Sequence, residues 1–126
     1  MTRLRRIALP LAALAACALP SAALATPDAK AQAEIDRLLA FVASSPCRFV
    51  RSGTEYGGLE ARDHLARKFD VARPMLSTAD QFVDYVATGS SITGEAYKVR
   101  CGTRETTSKA WLADELARLR RAARAQ

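Results

Sequence analysis

Apolar residues recur at Ile35, Leu38, Leu39 and Val42, the i, i+3, i+4, i+7 spacing that puts side chains on one face of an α-helix. The spacing predicts a helix from Ala29 to Ser44, closed by Pro46, which has no N–H to donate and clashes with the preceding turn. From Cys47 the period changes to two. Cys47 and Phe49 then share one face of a short strand, with Arg48 and Val50 on the other. Ser52-Gly53 is a turn dipeptide between Arg48–Arg51 and Thr54–Tyr56, which predicts a small hairpin. Gly57-Gly58 breaks it. A second helix follows from near Leu59, with Leu59, Ala61, Leu65, Ala66 and Phe69 as its buried stripe. It must stop before Pro74, because the residue preceding a proline is pushed out of the helical region.

Thr78-Ala79-Asp80-Gln81 has the pattern of a capping box, in which threonine and glutamine satisfy each other's free backbone N–H groups. It predicts a third helix from Ala79 to about Thr88 that buries Phe82, Val86 and Tyr85 and stops at Gly89. Ser90-Ser91-Ile92-Thr93-Gly94 reads as a loop. Tyr97, Val99 and Cys101 then alternate with Lys98 and Arg100, the mark of a half-buried strand. A polar turn holding Thr106, Thr107 and Ser108 offers N-caps for a last helix. Leu112, Leu116, Leu119 and Ala123 form its stripe, flanked by Trp111, with Asp114 and Arg118 as an i, i+4 pair. The expected fold is a small single α+β domain of about four helices with two or three short antiparallel strands and one disulfide.

The N-terminus changes the domain count. Arg3, Arg5 and Arg6 precede an uncharged, mostly apolar run from Ile7 to Leu24, and Ala23-Leu24-Ala25 is an A-x-A cleavage signal. Residues 1–25 therefore read as a cleaved signal peptide and 26–126 as the domain, with the periplasm as the expected location. Leu14-Ala15-Ala16-Cys17 offers a competing reading as a lipobox, which would make Cys17 the lipidated terminus of an outer-membrane lipoprotein. No later run is apolar enough to cross a bilayer, so no transmembrane segment is expected in the mature chain.

With Cys17 removed or lipidated, Cys47 and Cys101 remain as a single pair, expected to be joined in an oxidising compartment. Closing a loop of about 55 residues is worth at most ~4 kcal/mol by chain entropy. Two cysteines and one histidine fall short of a four-ligand zinc site, and no metal or cofactor is expected. The formal charge of +6 and pI near 9.7 owe much to the leader and to Arg118, Arg120, Arg121 and Arg124 at the C-terminal end. Without an aromatic-interleaved basic groove they do not imply nucleic acid as a partner.

The candidate chemistry gathers near the hairpin. His64, the only histidine, lies one helical turn before Lys68, and a histidine beside a lysine can bind an anion or move a proton. Arg51 and Glu55 flank the turn with Tyr56. They either line a polar patch beside His64 or, more plainly, pair with each other across the hairpin. Ser90, Ser91 and Thr93 come from the later loop. Ser90 or Ser91 with His64 and Asp63 would make a hydrolase triad on paper, but no nucleophile-elbow pattern surrounds either serine. The candidate surface is thus Arg51, Glu55, His64, Lys68, Ser90, Ser91 and Thr93.

Phe49-Val50-Arg51-Ser52-Gly53-Thr54-Glu55-Tyr56, then Ala61-Arg62-Asp63-His64-Leu65 with Lys68, Thr78-Ala79-Asp80-Gln81-Phe82, and Ser90-Ser91-Ile92-Thr93-Gly94 with Tyr97, together resemble the YfeK-like family. These are small exported proteobacterial proteins whose defining domain has no assigned function. The resemblance spans nearly all of residues 29 to 120 and implies a periplasmic, one-domain protein. It implies no activity. Ser52-Gly53 stands where the family pattern leads one to expect Asn-Gly, and Gly57-Gly58 where a better helix cap is expected, so helix two is expected to begin loosely. The expected function is a non-enzymatic binding or envelope-interaction module for an envelope protein or a small anionic ligand. Two other classes stand beside it. One is a small hydrolase-like enzyme using His64; the other is an inhibitor of a cell-wall lytic enzyme, from the likeness of Ser52-Gly53 and Tyr56 to a loop of periplasmic lysozyme inhibitors.

Overall fold

A computed structural model describes Thr2, residues 7–19 and residues 26–126. Arg3, Arg5, Arg6 and the Ala23-Leu24-Ala25 cleavage signal lie outside the described residues. Residues 7–19 carry no regular element, Cys17 is exposed, and among the described residues no helix is long and apolar enough to cross a membrane.

Helix α1 runs Ala29–Ser44, as the periodicity predicts, and Asp28 caps it by accepting from the Ala31 N–H at 2.8 Å. Ala31, Ile35, Leu38 and Val42 form its buried face, and it packs most extensively on α2, Gly58–Ala72. No side chain caps α2. Its start is fixed by packing instead: a Cβ on Gly58 would lie 2.4 Å from the Val42 carbonyl oxygen and 2.9 Å from that of Ala43. The missing side chain is what lets α2 begin against the end of α1, so the glycine that looked like a poor cap is a close-approach residue. A 3₁₀ turn, Arg73–Met75, absorbs Pro74 after α2.

Four antiparallel strands, β1 (Arg48–Arg51), β2 (Thr54–Tyr56), β3 (Lys98–Cys101) and β4 (Arg104–Thr107), lie in the order β2-β1-β3-β4. Ser52 and Gly53 both have positive φ, 49° and 76°, the type I′ geometry that matches strand twist in two-residue hairpins. Phe49 pairs with Tyr56 on one side and Val99 on the other. Cys47 and Cys101 sit one step beyond the Arg48–Arg100 pair and are joined by a disulfide, with Cα atoms 4.6 Å apart. Strand β4 occupies the segment read as a polar turn. Gly102, at φ 64°, reverses the chain, and Arg104, Glu105 and Thr106 are all exposed on an edge, so no apolar alternation marks the strand.

Further expectations give way in helices three and four. Helix three is a single α turn, α3 (Ala79–Gln81), with the predicted capping box intact, and it continues as a π-helical turn, Phe82–Val86. It ends before Thr88, and Tyr85 is 69% exposed. Gly89 instead pairs with Ala96, where a Cβ would meet the Glu95 carbonyl oxygen at 2.5 Å. In α4, Ser108–Arg124, capped by Thr107, Arg118 bonds Glu115 and not Asp114. Glu115 is buried and draws both guanidinium bonds, since a carboxylate withdrawn from water needs charged donors. Arg120 bonds Glu34 of α1 and Asp80 of α3, tying three helices together. The core lies between the helices and one sheet face, centred on Ile35, Leu38, Phe69, Phe82, Val99 and Leu112. Trp111 covers its edge by stacking on Phe41 and meeting Phe49 edge-on.

Candidate functional site

Arg51 closes β1 on the same face as Phe49, because residues two apart along a strand point the same way. Tyr97 precedes β3 on the face of buried Val99, while His64 and Lys68 come from successive turns of α2. The four side chains meet where the hairpin end of the sheet faces α2. Arg51 Nη1 lies 2.8 Å from His64 Nδ1 and 3.2 Å from Nε2, and Arg51 Nη2 donates to the Tyr56 hydroxyl at 3.1 Å. His64 Nε2 is 3.0 Å from the Tyr97 hydroxyl. Lys68 Nζ donates to the carbonyls of Val86 (2.8 Å) and Gly89 (2.6 Å) and to Tyr97 Oη (3.1 Å).

Donor chemistry fixes the proton positions. A guanidinium only donates, so the nearer ring nitrogen, Nδ1, must accept from Arg51. The hydrogen of the neutral imidazole then sits on Nε2 and is donated to Tyr97. Tyr97 Oη therefore accepts twice, from His64 and from Lys68, which fills both lone pairs and leaves its own hydrogen to point elsewhere. Tyr56 Oη likewise accepts from Arg51 and keeps its hydrogen to give. Arg51 uses only part of its five N–H groups. The cluster presents surplus donors.

It also presents surplus positive charge. Neither Arg51 nor Lys68 has a carboxylate partner among the described residues, whose ion pairs all lie elsewhere. The consequences appear in the ionisation of the neighbours. His64 is held down to about 4, first by burial and then by Arg51, Lys68 and Arg67, so it is neutral at physiological pH. Burial, with Arg51 behind it, also lowers Lys68, and burial raises Tyr97. The His64 and Lys68 shifts mark places where added positive charge is unwelcome, whereas the Tyr97 shift reflects burial opposing a phenolate and keeps the hydroxyl protonated.

A cavity of about 210 Å³ opens onto this cluster, lined by Arg51, Tyr56, His64 and Tyr97 together with Phe49, Ala61, Leu65 and, among others, Glu60, Asp63 and Arg67. Glu60 and Asp63 are exposed at its edge, and Asp63 is engaged by Arg62 at 2.6 Å. Among the described residues no three His, Cys, Asp or Glu side chains gather as metal ligands.

Of the residues singled out in the sequence, Arg51, His64 and Lys68 are brought together. Glu55 is not: strand alternation places it opposite Val50, and it bonds Arg100 at 2.6 Å and lies 3.8 Å from Arg48. The expected Arg51–Glu55 pair does not form. Ser90 Oγ accepts from Ile92 and Thr93 N–H, and Thr93 Oγ1 from Glu95 N–H, so these hydroxyls brace their own loop. Ser91 lines a neighbouring groove that also reaches His64 and Lys68. Neither serine nor Asp63 is bonded to His64, so the paper triad is not assembled. Tyr97, read as strand packing, is the member that sequence reasoning missed. Its signal was available, because a buried tyrosine must find partners for its hydroxyl.

A family model described as "Family of unknown function (DUF5329)" matches residues 29–120. The chain is 38% identical over 86 residues, 68% of its own length and 72% of the relative's, to "Uncharacterized protein YfeK" of Salmonella typhimurium strain LT2. No solved structure is significantly similar to it.

Proposed function

We propose, from the premise that the chain belongs to the DUF5329 family of unknown function, that it is a periplasmic binding module for a small anionic ligand. The observation that carries this reading is the pair Arg51 and Lys68 converging on neutral His64 and Tyr97 with no carboxylate paired to either, Glu60 and Asp63 standing only at the exposed edge of the cavity. Half-buried cations ordinarily find a counter-charge, and an anion in the cavity would supply it. Arg51 N–H groups and the Tyr97 and Tyr56 hydroxyl hydrogens donate to the ligand; Lys68, its three N–H bonds already made, contributes charge and holds Tyr97 in place. His64 orients Arg51 and Tyr97 without competing for the anion. Export by residues 1–25 places the module outside the cytoplasm, and the Cys47–Cys101 disulfide agrees with an oxidising compartment. Lipid attachment at Cys17 would tether the same domain to the outer membrane.

Calorimetric titration with inorganic phosphate and with acetate, at constant ionic strength, tests the reading. A hydrogen bond to a charged group contributes roughly 1.5–3 kcal/mol, so Arg51→Gln weakens binding at least tenfold while the fold is retained. Equal binding by the variant and the unaltered chain would remove Arg51 from the site.

A further inference from the structure

The cluster has a second neighbour. His64 and Arg67 line both the polar cavity and a groove of about 750 Å³, which is lined further by Lys68, Val71, Met75, Leu76, Tyr85 and Val86. The groove is apolar along its length and cationic at its head. Leu76 and Val86 form its buried floor, while Val71, Met75 and Tyr85 stand 79%, 71% and 69% exposed beside it. Ile92, next to Ser91 in sequence, is 96% exposed. Isolated exposed apolar side chains need no explanation, but several gathered along one trough mark a binding surface. Tyr85 lies within the π-helical turn Phe82–Val86, whose buried residues are Phe82, Val83 and Val86. Lys68 then bonds the Val86 and Gly89 carbonyls beyond that turn, so one side chain links the groove to the charged cluster. Single-turn π segments of this kind recur at functional sites.

We infer that the ligand is a monomeric single-chain anionic amphiphile, its phosphate or carboxylate head at Arg51 and Tyr97 and its alkyl chain in the Val71–Met75–Tyr85 groove. The inference rests on the anion-binding reading of the head site and adds the tail. Charge complementarity decides the occupant: the apolar trough ends at His64, Arg67 and Lys68, and no acidic residue lines it. An apolar peptide segment would leave that cationic head unmatched, whereas an amphiphile satisfies both ends at once. Burying a methylene is worth roughly 0.8 kcal/mol, so affinity rises roughly fourfold for each carbon that enters the groove.

The test titrates the full chain with butyl, hexyl, octyl and decyl phosphate below their micellar concentrations, with inorganic phosphate and decanol alongside, and follows the Met75 methyl signal by NMR. Affinity is expected to climb roughly fourfold per methylene, and the Met75 methyl to shift with alkyl phosphates but not with inorganic phosphate. Val71→Ser and Met75→Gln, both exposed and outside the core, add no charge beside Arg67 and Lys68 and should flatten the chain-length dependence while leaving inorganic phosphate binding unchanged. Affinity independent of chain length, with phosphate still bound at Arg51, would overturn the amphiphile and leave the anion reading standing. Equal affinity for decanol and decyl phosphate, insensitive to Arg51→Gln, would overturn both. Binding to anionic vesicles without binding of the monomeric alkyl phosphates would also overturn it. So would a groove already filled by the chain's own residues 7–19, seen as a Met75 shift on Leu11→Asp with no ligand present.

Discussion

Acidification should destabilise this protein through one imidazole, and the single histidine makes the effect separable. His64 ionises near 4 in the folded chain, against 6.5 for an unperturbed histidine, because burial and then Arg51, Lys68 and Arg67 oppose its positive form. Between pH 6.5 and 4 the unfolded chain takes up a proton that the folded chain refuses. Stability is therefore fully present above pH 6.5, falls as the pH drops towards 4, and loses no more from this group below that. One pKa unit corresponds to about 1.4 kcal/mol, so the whole gap sets a ceiling of ~3 kcal/mol. The ring is only partly buried, and solvent screening reduces the expected loss to about 1–2 kcal/mol. Urea unfolding from pH 7 to pH 4.5 measures it, with His64→Gln as the reference that keeps polar contacts but cannot take up a proton. Asp80 and Glu105, both held below the usual carboxylate range by arginine partners, lose their stabilising ionisation at lower pH in both proteins, so they cancel in the comparison. Parallel stability profiles for the two proteins would refute the electrostatic account of the cluster.

Three structural predictions stand apart from the site. Gly58→Ala gains helix propensity but drives a methyl into the Val42 and Ala43 carbonyls, which cannot rotate away, and a net loss of about 1–3 kcal/mol is expected by urea unfolding. Cys47→Ser with Cys101→Ser removes the bridge between β1 and β3; the loss should approach but not exceed ~4 kcal/mol, and a variant as stable as the oxidised chain would deny the bridge a role. Arg120→Ala strands Glu34 and frees Asp80, costing about 1–3 kcal/mol. NMR should then find the Asp80 pKa risen towards its ordinary value, because the Arg120 hydrogen bond is what chiefly depresses it.

What could be read along the chain was what neighbours in sequence decide. Helix α1 matches its apolar stripe from end to end, the Thr78–Gln81 box caps as its spacing requires, and Cys47, just before β1, meets Cys101, the last residue of β3, because period-two alternation sets them on the faces of Phe49 and Val99. The misses belong to contacts between distant segments. Strand β4 is held to β3 by backbone bonds and the exposed Arg100–Glu105 pair and shows no alternating burial. The π-helical turn reflects demands on residues 82–86 from α2 and α4, including Lys68 reaching across from α2. In the site, His64 and Lys68 could be paired from helical spacing. Placing Tyr97 with them required the register of β1 against β3, and the same register carries Glu55 to the opposite face with Arg100.

The central claim is that Arg51, His64, Lys68 and Tyr97 form a cationic site awaiting an anion. An NMR titration of the His64 ring against pH, with and without saturating inorganic phosphate at matched ionic strength, tests it most directly. Phosphate beside Arg51 offsets the cationic charge that, after burial, opposes His64 protonation, so the His64 pKa should rise above about 4 while burial keeps it below 6.5. A pKa that stays put while phosphate is bound would place the anion elsewhere and contradict the account.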